Sequence, residues 1–202
     1  MSSTTDETQA QVKKTERTRV RRHPERAVPE QAEDILRAGH VAHVAFVVNG
    51  QPCVVPMTYH YDDGALYVHG APASRAVAAL RAGTPVCVEV TLLDGLVASR
   101  EAKSHSMNYR SVIVYGVAEP VPSEAEKRAI FERMTARYFP GRTVGRDYLP
   151  ARAGDLRGVE LLRIRAGERS AKARGGPPLG THDADDLAPG TSYVVVLPSV
   201  NS

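Results

Sequence analysis

Alternating apolar and polar positions predict a series of short β-strands in the first half of the chain. The first covers Val41–Val48, and Asn49-Gly50 follows it as a hairpin turn, because both residue types tolerate a positive φ. Cys53–Thr58 is the predicted return strand, and a turn at Asp62-Asp63-Gly64 leads to a third strand over Ala65–His69. Strands joined by such short turns pair antiparallel, since a parallel connection needs a crossover of about a dozen residues or more.

Helical periodicity and capping residues predict three helices. They cover Pro29–Ala38, Ser74–Ala82 and a segment that opens with a capping box at Ser123 and Glu126 and ends near Phe139. Further strands are predicted over Val86–Leu92, Ser111–Val117, Val159–Arg165 and Tyr193–Leu197. Roughly six or seven strands with a few helices indicate a mainly β, α+β fold, built as a small barrel or a strongly curled sheet.

Composition indicates a folded protein. The 202 residues are 42% hydrophobic and 24% charged, with a net charge of +3, which excludes a wholly disordered chain. We expect a basic, flexible N-terminal arm over residues 1–27, one domain over residues 28–198 and a short tail over 199–202. Nucleic-acid binding by the arm is not favoured, because Glu16 and Glu25 interrupt the basic run and no aromatic residue is present for stacking on bases.

The sequence does not support a membrane protein or a metal-binding protein. No apolar run approaches the roughly 20 residues that a membrane-spanning helix needs, and the first residues contain no apolar signal segment, so we expect a cytoplasmic protein. Cys53 and Cys87 lie singly within apolar runs, without the close ligand spacing of a zinc site. They are expected to be reduced and buried, and no metal is predicted.

One constellation could bind a phosphate. Tyr67-Val68-His69-Gly70 ends a strand, and Ser74-Arg75 opens the next helix. A hydroxyl and a guanidinium at a helix N-terminus suit a phosphomonoester, because free backbone N–H groups and the helix dipole favour an anion there. The alternative remains open at this level: Ser74 is an ordinary N-cap and Arg75 a solvated side chain.

Longer segments resemble a known family. LYVHGAPASRAVAAL is similar to the flavin-phosphate segment of the pyridoxamine 5′-phosphate oxidase superfamily. HVAHVAFVVNGQPCVVPMTYHY, VCVEVTLLDGLVASR, SHSMNYRSVIVYG and SAKARGGPP resemble its flavin-nucleotide-binding branch, close to the nitroimidazole-reductase (Nim-type) group. The resemblance runs from about Arg17 to Pro198, and it implies an FMN-binding split β-barrel of antiparallel strands that forms a homodimer.

The resemblance also implies site residues. Ser74 and Arg75 would hold the FMN phosphate, with His69 and Gly70 at the end of the preceding strand. The strand expected along the flavin ring contains Pro56, Met57, Thr58 and Tyr59. The segment expected to approach the cofactor of the other subunit contains Asn108, Tyr109, Arg110 and Ser111. Lys172 and Arg174 match a basic C-terminal motif and are substrate-side candidates.

Three departures bear on the substrate. Pyridoxamine 5′-phosphate oxidases proper have a third basic residue after Ser-Arg, where this chain has Ala76, and the C-terminus lacks their Arg-rich motif. Tyr193 stands where a Trp is common in the branch. Oxidation of pyridoxamine phosphate is therefore not expected.

The leading hypothesis is an FMN-dependent oxidoreductase that acts on a small organic substrate, with NADH or NADPH as electron donor. His69 is the candidate catalytic side chain, since it adjoins the phosphate-binding residues. Such an enzyme needs no catalytic triad, because the cofactor supplies the chemistry. Two alternatives remain: a non-catalytic flavin-binding or sensing protein, and a haem-binding split barrel with a histidine such as His69 as the iron ligand.

Overall fold

A computed structural model describes residues 12–198, and within that range it contains eight strands and four α-helices. The strands are β1 (Val41–Val48), β2 (Gln51–Asp62), β3 (Ala65–Gly70), β4 (Pro85–Ala98), β5 (Ser106–Pro120), β6 (Glu160–Arg165), β7 (Glu168–Arg174) and β8 (Tyr193–Val196). The helices are α1 (Ala32–Ala38), α2 (Arg75–Arg81), α3 (Glu124–Tyr138) and α4 (Ala153–Arg157). Short 3₁₀ turns cover Glu16–Thr18, Pro24–Arg26, Pro29–Gln31 and Ala102–Ser104.

The predicted hairpins are confirmed. Strands β1 and β2 pair antiparallel from Val41 opposite Thr58 to Val48 opposite Gln51. The turn residues Asn49 and Gly50 have φ values of 51° and 76°, as a two-residue hairpin turn requires. The next turn places Asp63 and Gly64 at positive φ and leads to the antiparallel pairing of β2 with β3.

Hydrogen-bonded neighbours follow the order β7-β5-β6-β3-β2-β1-β4-β8, with a further pairing of β5 with β4. The pairs β3–β6, β5–β6 and β4–β8 are also antiparallel. A mostly antiparallel sheet of eight strands with a few helices confirms the predicted mainly β, α+β fold class.

Two elements were not predicted from the sequence, and the predicted bounds of other elements were too narrow. Strand β7 was not predicted, because its sequence ERSAKAR has neither an apolar run nor a regular alternation. The five-residue helix α4 was missed for its shortness. The strand β5 spans 15 residues, well beyond the predicted Ser111–Val117, since pairing with neighbouring strands extends it past its apolar centre.

Helix termini follow the capping residues closely. Ser123 Oγ accepts a hydrogen bond of 3.3 Å from the backbone N–H of Glu126 at the start of α3. The helix ends at Tyr138, one residue before the predicted end. The segment predicted as one helix from Pro29 begins as a 3₁₀ turn and continues as α1, with Gly39 at its C-cap.

Residue contacts divide the described chain into two units. The first contains residues 12–19, 40–88 and 114–169, and the second contains residues 20–39, 89–113 and 170–198. In the first unit, α3 packs Ile130 and Met134 against Ala65, Tyr67 and Leu161 of the sheet, with Val121, Phe131 and Tyr138 at the same cluster. This packing fixes β3, whose end contributes to the site described below.

The described part of the N-terminal arm makes specific contacts. In the first unit, Thr15 Oγ1 donates a hydrogen bond of 2.7 Å to Glu168, and Arg17 makes a 2.9 Å ion pair with the same carboxylate. In the second unit, the backbone N–H of Val28 donates to Ala171 O at 3.1 Å. The first eleven residues of the predicted arm, and the predicted tail over 199–202, lie outside the described residues. The boundaries of the arm and of the domain stay predictions.

Cys53 and Cys87 form no disulfide within residues 12–198, and both are partly buried rather than fully buried as predicted. None of the helices between residues 12 and 198 has the length and apolar character needed to cross a membrane.

Candidate functional site

Residues of β2, β3 and α2 line a pocket of about 430 Å³ in the first unit. Six of its lining residues belong to the predicted cofactor set: Pro56, Met57, Thr58, His69, Ser74 and Arg75. Val55 and Ala76 complete the lining. The chain therefore brings together the residues predicted to hold the ring and those predicted to hold the phosphate.

The beginning of α2 presents two groups suited to a phosphate. Ser74 is the N-cap of the helix, and its Oγ accepts a hydrogen bond of 3.2 Å from the backbone N–H of Val77. A hydroxyl that accepts a hydrogen bond still has its own hydrogen to donate. Arg75 is exposed and makes no hydrogen bond or ion pair with any residue in the described part of the chain. Both readings of Ser74 from the sequence are thus compatible: it caps the helix and lines the pocket.

His69 presents an unpaired nitrogen in the same pocket. Its ring packs edge-on against Phe131 of α3, with 5.2 Å between the ring centroids. Its Nδ1 is buried and has no hydrogen-bond partner among residues 12–198. Burial lowers the pKa of His69, so the imidazole is neutral at pH 7 and can donate from one ring nitrogen and accept at the other.

Gly70 and Tyr59 support the pocket without lining it. A Cβ at Gly70 would lie 2.9 Å from Cγ2 of Val77, so α2 packs against the end of β3 only because this residue is glycine. The side chain of Tyr59 is fully buried, and its backbone carbonyl accepts hydrogen bonds from Tyr138 Oη at 2.8 Å and Arg137 Nη1 at 2.7 Å. These contacts tie α3 to β2 directly after Thr58.

The second predicted group, Asn108 to Ser111, lies on β5 in the second unit, and its side chains largely bond within that unit. Arg110 makes a two-pronged contact with Asp94, at 2.9 Å from Nε and 2.7 Å from Nη2, which raises the pKa of the guanidinium. Asn108 Nδ2 donates to Gly176 O at 3.1 Å, and Ser111 Oγ donates to Lys172 O at 3.3 Å. Tyr109 is partly exposed. An approach of these residues to the cofactor of another subunit stays a prediction.

Lys172 and Arg174 also lie in the second unit, on β7. Lys172 Nζ donates to the backbone carbonyl of Arg22 at 3.1 Å. Arg174 is almost completely buried and donates to Asn108 Oδ1 and to Pro177 O. Their predicted role beside the substrate stays a prediction.

Comparison with known proteins identifies the family of this chain. The sequence profile of a family described as pyridoxamine 5′-phosphate oxidase matches residues 29–173. The chain belongs to this family. The predicted resemblance is thereby confirmed, and with it the split-barrel fold class.

Two solved structures of about one-third sequence identity support membership of the pyridoxamine 5′-phosphate oxidase family. The flavocytochrome Anf3 from Azotobacter vinelandii is 33% identical, with a TM-score of 0.81 over 91% of this chain and 85% of that chain. The FAD and heme binding protein from Mycobacterium smegmatis is 31% identical, with a TM-score of 0.77 over 85% of this chain and 84% of that chain.

A more distant structure shares the fold. A candidate 5-nitroimidazole antibiotic resistance protein from Bacteroides thetaiotaomicron is 22% identical, with a TM-score of 0.60 over 73% of this chain and 86% of that chain. A search of curated proteins found no match.

Ala76 stands where pyridoxamine 5′-phosphate oxidases proper have a basic residue, and the structure shows where it lies. The residue is buried at the beginning of α2 and lines the pocket with its methyl group. The described pocket lining therefore contains one guanidinium, that of Arg75, and no second cationic side chain beside it. Sequence reasoning missed Val55 as a lining residue, because its place on β2 carries no polar group that would mark it.

Proposed function

We propose that this chain is a flavin-binding oxidoreductase that holds the flavin phosphate at Ser74 and Arg75. The observation that supports this most directly is an unpaired guanidinium and a helix-capping hydroxyl side by side at one pocket. Flavin appears in the names of relatives above 30% identity, one a flavocytochrome and one a protein that binds FAD and heme. The described residues fit the cofactor.

Each part of the pocket has a definite task in this proposal. Arg75 would offer its planar donors to phosphate oxygens, and Ser74 would donate one hydrogen bond beside it. The apolar surfaces of Val55, Pro56 and Met57 would contact the flat ring and keep water from it. A bound flavin supplies the redox chemistry, and the protein supplies binding, orientation and electrostatics.

His69 is the side chain that could influence the reaction. Its buried, unpaired Nδ1 and its neutral charge state suit a hydrogen bond to the cofactor or to a substrate. We assign it no proton-transfer step.

FMN is the proposed flavin, as the pocket offers groups for one phosphate. Chromatography of the released cofactor distinguishes FMN from FAD. Release of FMN would support the assignment, and release of FAD would replace it.

The substrate is proposed to be a small organic molecule, and the electron donor NADH or NADPH. Turnover of a quinone or nitroaromatic acceptor with either nicotinamide would support catalysis. A flavin-loaded protein without turnover would favour a non-catalytic flavin-binding or sensing role.

We also propose a cytoplasmic homodimer. The outward face of the β1–β2 hairpin exposes Val41, Val47 and Val54, each with between 43% and 61% of its residue surface accessible. Apolar patches of this kind are typical of subunit interfaces. Light scattering that gives the mass of a monomer for the flavin-loaded protein would contradict the dimer.

Haem is a second candidate ligand, favoured by one specific observation. A neutral imidazole is the state that binds iron, and burial keeps His69 in that state. His69 lines the pocket, and its buried Nδ1 has no hydrogen-bond partner among residues 12–198. A single intense Soret band in the purified protein, lost in a His69→Ala variant, would support haem at this residue.

The decisive test of the flavin proposal is the Arg75→Ala variant. A charge-assisted hydrogen bond contributes about 1.5–3 kcal/mol, so the dissociation constant for flavin should rise roughly tenfold to hundredfold. Absorbance after desalting and titration of the stripped protein measure the effect. Arg81→Ala is the matched control, since Arg81 lies at the other end of α2 and contacts Glu160 at 3.6 Å. Equal flavin affinity in Arg75→Ala and wild type would refute the proposal.

A further inference from the structure

A second pocket lies in the second unit, and the proposed flavin site does not use it. Its volume is about 550 Å³, and every residue that lines it belongs to the segment 177–194, which connects β7 to β8 and includes the start of β8. The match to the family profile ends at residue 173, so this segment follows the part of the chain that the profile covers. We call this cavity the loop pocket. It shares no lining residue with the flavin pocket.

Asp183 holds the lining segment against the end of β4. Its Oδ1 accepts a hydrogen bond of 2.8 Å from the backbone N–H of Arg100, and its Oδ2 accepts one of 2.6 Å from the backbone N–H of Gly180. Ser99 Oγ donates to the same carboxylate, at 2.9 Å from Oδ2. A Cβ at Gly180 would lie 2.7 Å from Asp183 Oδ2 and 2.8 Å from Ser99 Oγ. The close approach therefore requires glycine.

Two further contacts fix the rest of the segment. The guanidinium of Arg100 donates to the backbone carbonyls of Ala188 and Gly190. Glu101 Oε1 accepts a hydrogen bond of 3.1 Å from the backbone N–H of His182 and lies 2.9 Å from Nδ1 of its ring. Three consecutive residues after β4 thus hold the segment at several places. A ligand would meet a preformed pocket, which reduces the entropy lost on binding.

The walls of the loop pocket are mainly apolar. They include the rings of Pro177 and Pro178, and the side chains of Leu179, Tyr193 and Val194. Leu179 is 75% exposed and Tyr193 is 55% exposed. The flat faces of proline and tyrosine rings are suited to an aromatic ring. A volume of about 550 Å³ lies within the range of small-molecule pockets.

Asp183 gives the loop pocket a negative charge. The described lining contains no lysine, arginine or histidine. Desolvation disfavours the ionised carboxylate, but the hydrogen bonds that it accepts outweigh this effect and lower the pKa of Asp183, so the group is ionised at pH 7. Its three donors leave one of the roughly four acceptor positions of a carboxylate unused.

The whole lining segment has the same sign of charge. Residues 177–194 contain three aspartates, at positions 183, 185 and 186, and no lysine or arginine, although the chain has a net charge of +3. Flavin nucleotides and other phosphates are anions, which this segment would repel. A second copy of the chain in a two-fold contact would bring the acidic segment against itself. Charge complementarity therefore favours a cation as the occupant.

We infer that the loop pocket binds a small aromatic cation of the arylalkylamine class. The aromatic ring lies against the proline rings and Tyr193, and the ammonium group lies beside the carboxylate of Asp183. The face of Tyr193 attracts the same positive charge. The inference goes beyond the proposed flavin-binding function and does not depend on it, since the two pockets have different residues.

The test is titration of the full chain at pH 7 with three probes that share an indole ring: the cation tryptamine, neutral indole and the anion indole-3-propionate. The chain has no tryptophan, so the fluorescence anisotropy of the indole ring reports the probe alone. Tryptamine should bind about threefold or more tightly than indole, and indole-3-propionate should bind most weakly. Added salt should weaken the binding of tryptamine more than that of indole.

Leu179→Ser and Tyr193→Thr are the principal variants. Both side chains are exposed, and threonine suits β8, where Tyr193 pairs with Ala98 through the backbone. Each variant should weaken tryptamine binding roughly threefold to tenfold through loss of apolar contact. Leu187→Ser is the matched control, because Leu187 is 96% exposed in the same segment and does not line the pocket. It should bind tryptamine as wild type does.

Asp183→Asn tests the charge of the pocket. The affinities for tryptamine and indole should become similar in this variant, because the attraction for the ammonium group is lost. Asp183 also holds the segment, so a loosened loop would lower the affinity for all three probes. In that case the two principal variants and the order of the probes in wild type decide the matter.

The possible results separate cleanly. Tryptamine binding that is tightest in wild type and weakened in Leu179→Ser and Tyr193→Thr, but not in Leu187→Ser, supports the inference. No binding of tryptamine, equal affinity for tryptamine and indole-3-propionate, or unchanged affinity in both principal variants overturns it. Displacement of tryptamine by FMN would place the probe at the flavin pocket and also overturn it. A chain that binds tryptamine in this way and no flavin would refute the flavin proposal alone.

Discussion

The predicted cofactor residues form two groups whose polar side chains are used differently. In the first unit, Arg75 has no partner within the described chain, and His69 Nδ1 is buried without one. In the second unit, Arg110 is bound to Asp94, and Asn108 bridges to the segment that follows β7. Unpaired groups at a pocket are available to a ligand, whereas paired groups mainly stabilise the fold. The difference teaches that matching a family motif is not sufficient for a binding role: the side chain must also keep a donor or acceptor that no internal partner uses.

Among the variants that would disturb the pocket, Gly70→Ala is expected to have the largest effect. The added methyl group would lie 2.9 Å from Val77 Cγ2, and valine in a helix has little freedom to rotate away. Overpacking of this kind costs about 1–3 kcal/mol in the free energy of unfolding and should also reduce flavin retention. Urea denaturation measures the first effect, and absorbance after desalting measures the second.

Two companion variants sharpen this prediction. Gly167→Ala, where an added Cβ meets no atom within 4 Å, is the control and should be close to neutral. Val77→Ala should partly rescue Gly70→Ala, so that the double variant loses less stability than the two single losses combined. Simple additivity would show that the contact between β3 and α2 is not the cause.

A smaller, two-part effect is expected from Ser74→Ala. Loss of an N-cap destabilises a protein by about 1 kcal/mol, and the pocket also loses one phosphate donor. Ser123→Ala is the matched control, because it removes the N-cap of α3 and no residue of the pocket. Both variants should lose similar stability in urea, and only Ser74→Ala should bind flavin more weakly. Equal flavin affinities in the two variants would reduce Ser74 to a capping residue.

The smallest expected effect is the contribution of His69 to the pH dependence of the free energy of unfolding. Burial lowers the pKa of His69 in the folded protein, while the unfolded chain takes up a proton at about pH 6.5. The contribution of His69 to stability is therefore complete above about pH 6.5 and is lost progressively as the pH falls below that value. Unfolding free energies at pH 8 and pH 5.5 should differ less in His69→Gln than in wild type. Burial also lowers the pKa of His40, which both proteins share, so its contribution cancels in the comparison. Parallel pH profiles would contradict the prediction.

Much of the local architecture was predictable because its causes lie within a few residues. Asn49-Gly50 specifies a turn through the φ values these residue types tolerate. Ser74 and Ser123 mark helix starts because each hydroxyl reaches a backbone N–H three residues later. The candidate phosphate-binding residues were found for the same reason: the end of β3 and the beginning of α2 are neighbours in the chain.

The features that were not predicted from the sequence all depend on contacts between residues that are far apart in the chain. Strand β7 has a polar sequence, and its pairing neighbour in the strand order is β5, which is far away along the chain. The pairing of Arg110 with Asp94 and the burial of Arg174 likewise depend on segments that sequence spacing does not connect. No local pattern distinguishes an arginine that will meet a carboxylate from one that will not.

The sequence by itself determined the turns, the capped helices, the antiparallel pairing of β1 to β3, and membership of the pyridoxamine 5′-phosphate oxidase family. Only the tertiary structure decided which polar side chains are consumed by internal bonds and which remain for a ligand. The physical reason is range: backbone preferences and capping act over about three or four residues. The counter-ion of a guanidinium, by contrast, comes from wherever the fold brings a carboxylate. Asp94 reaches Arg110 in this way, and no described carboxylate reaches Arg75 or Arg174.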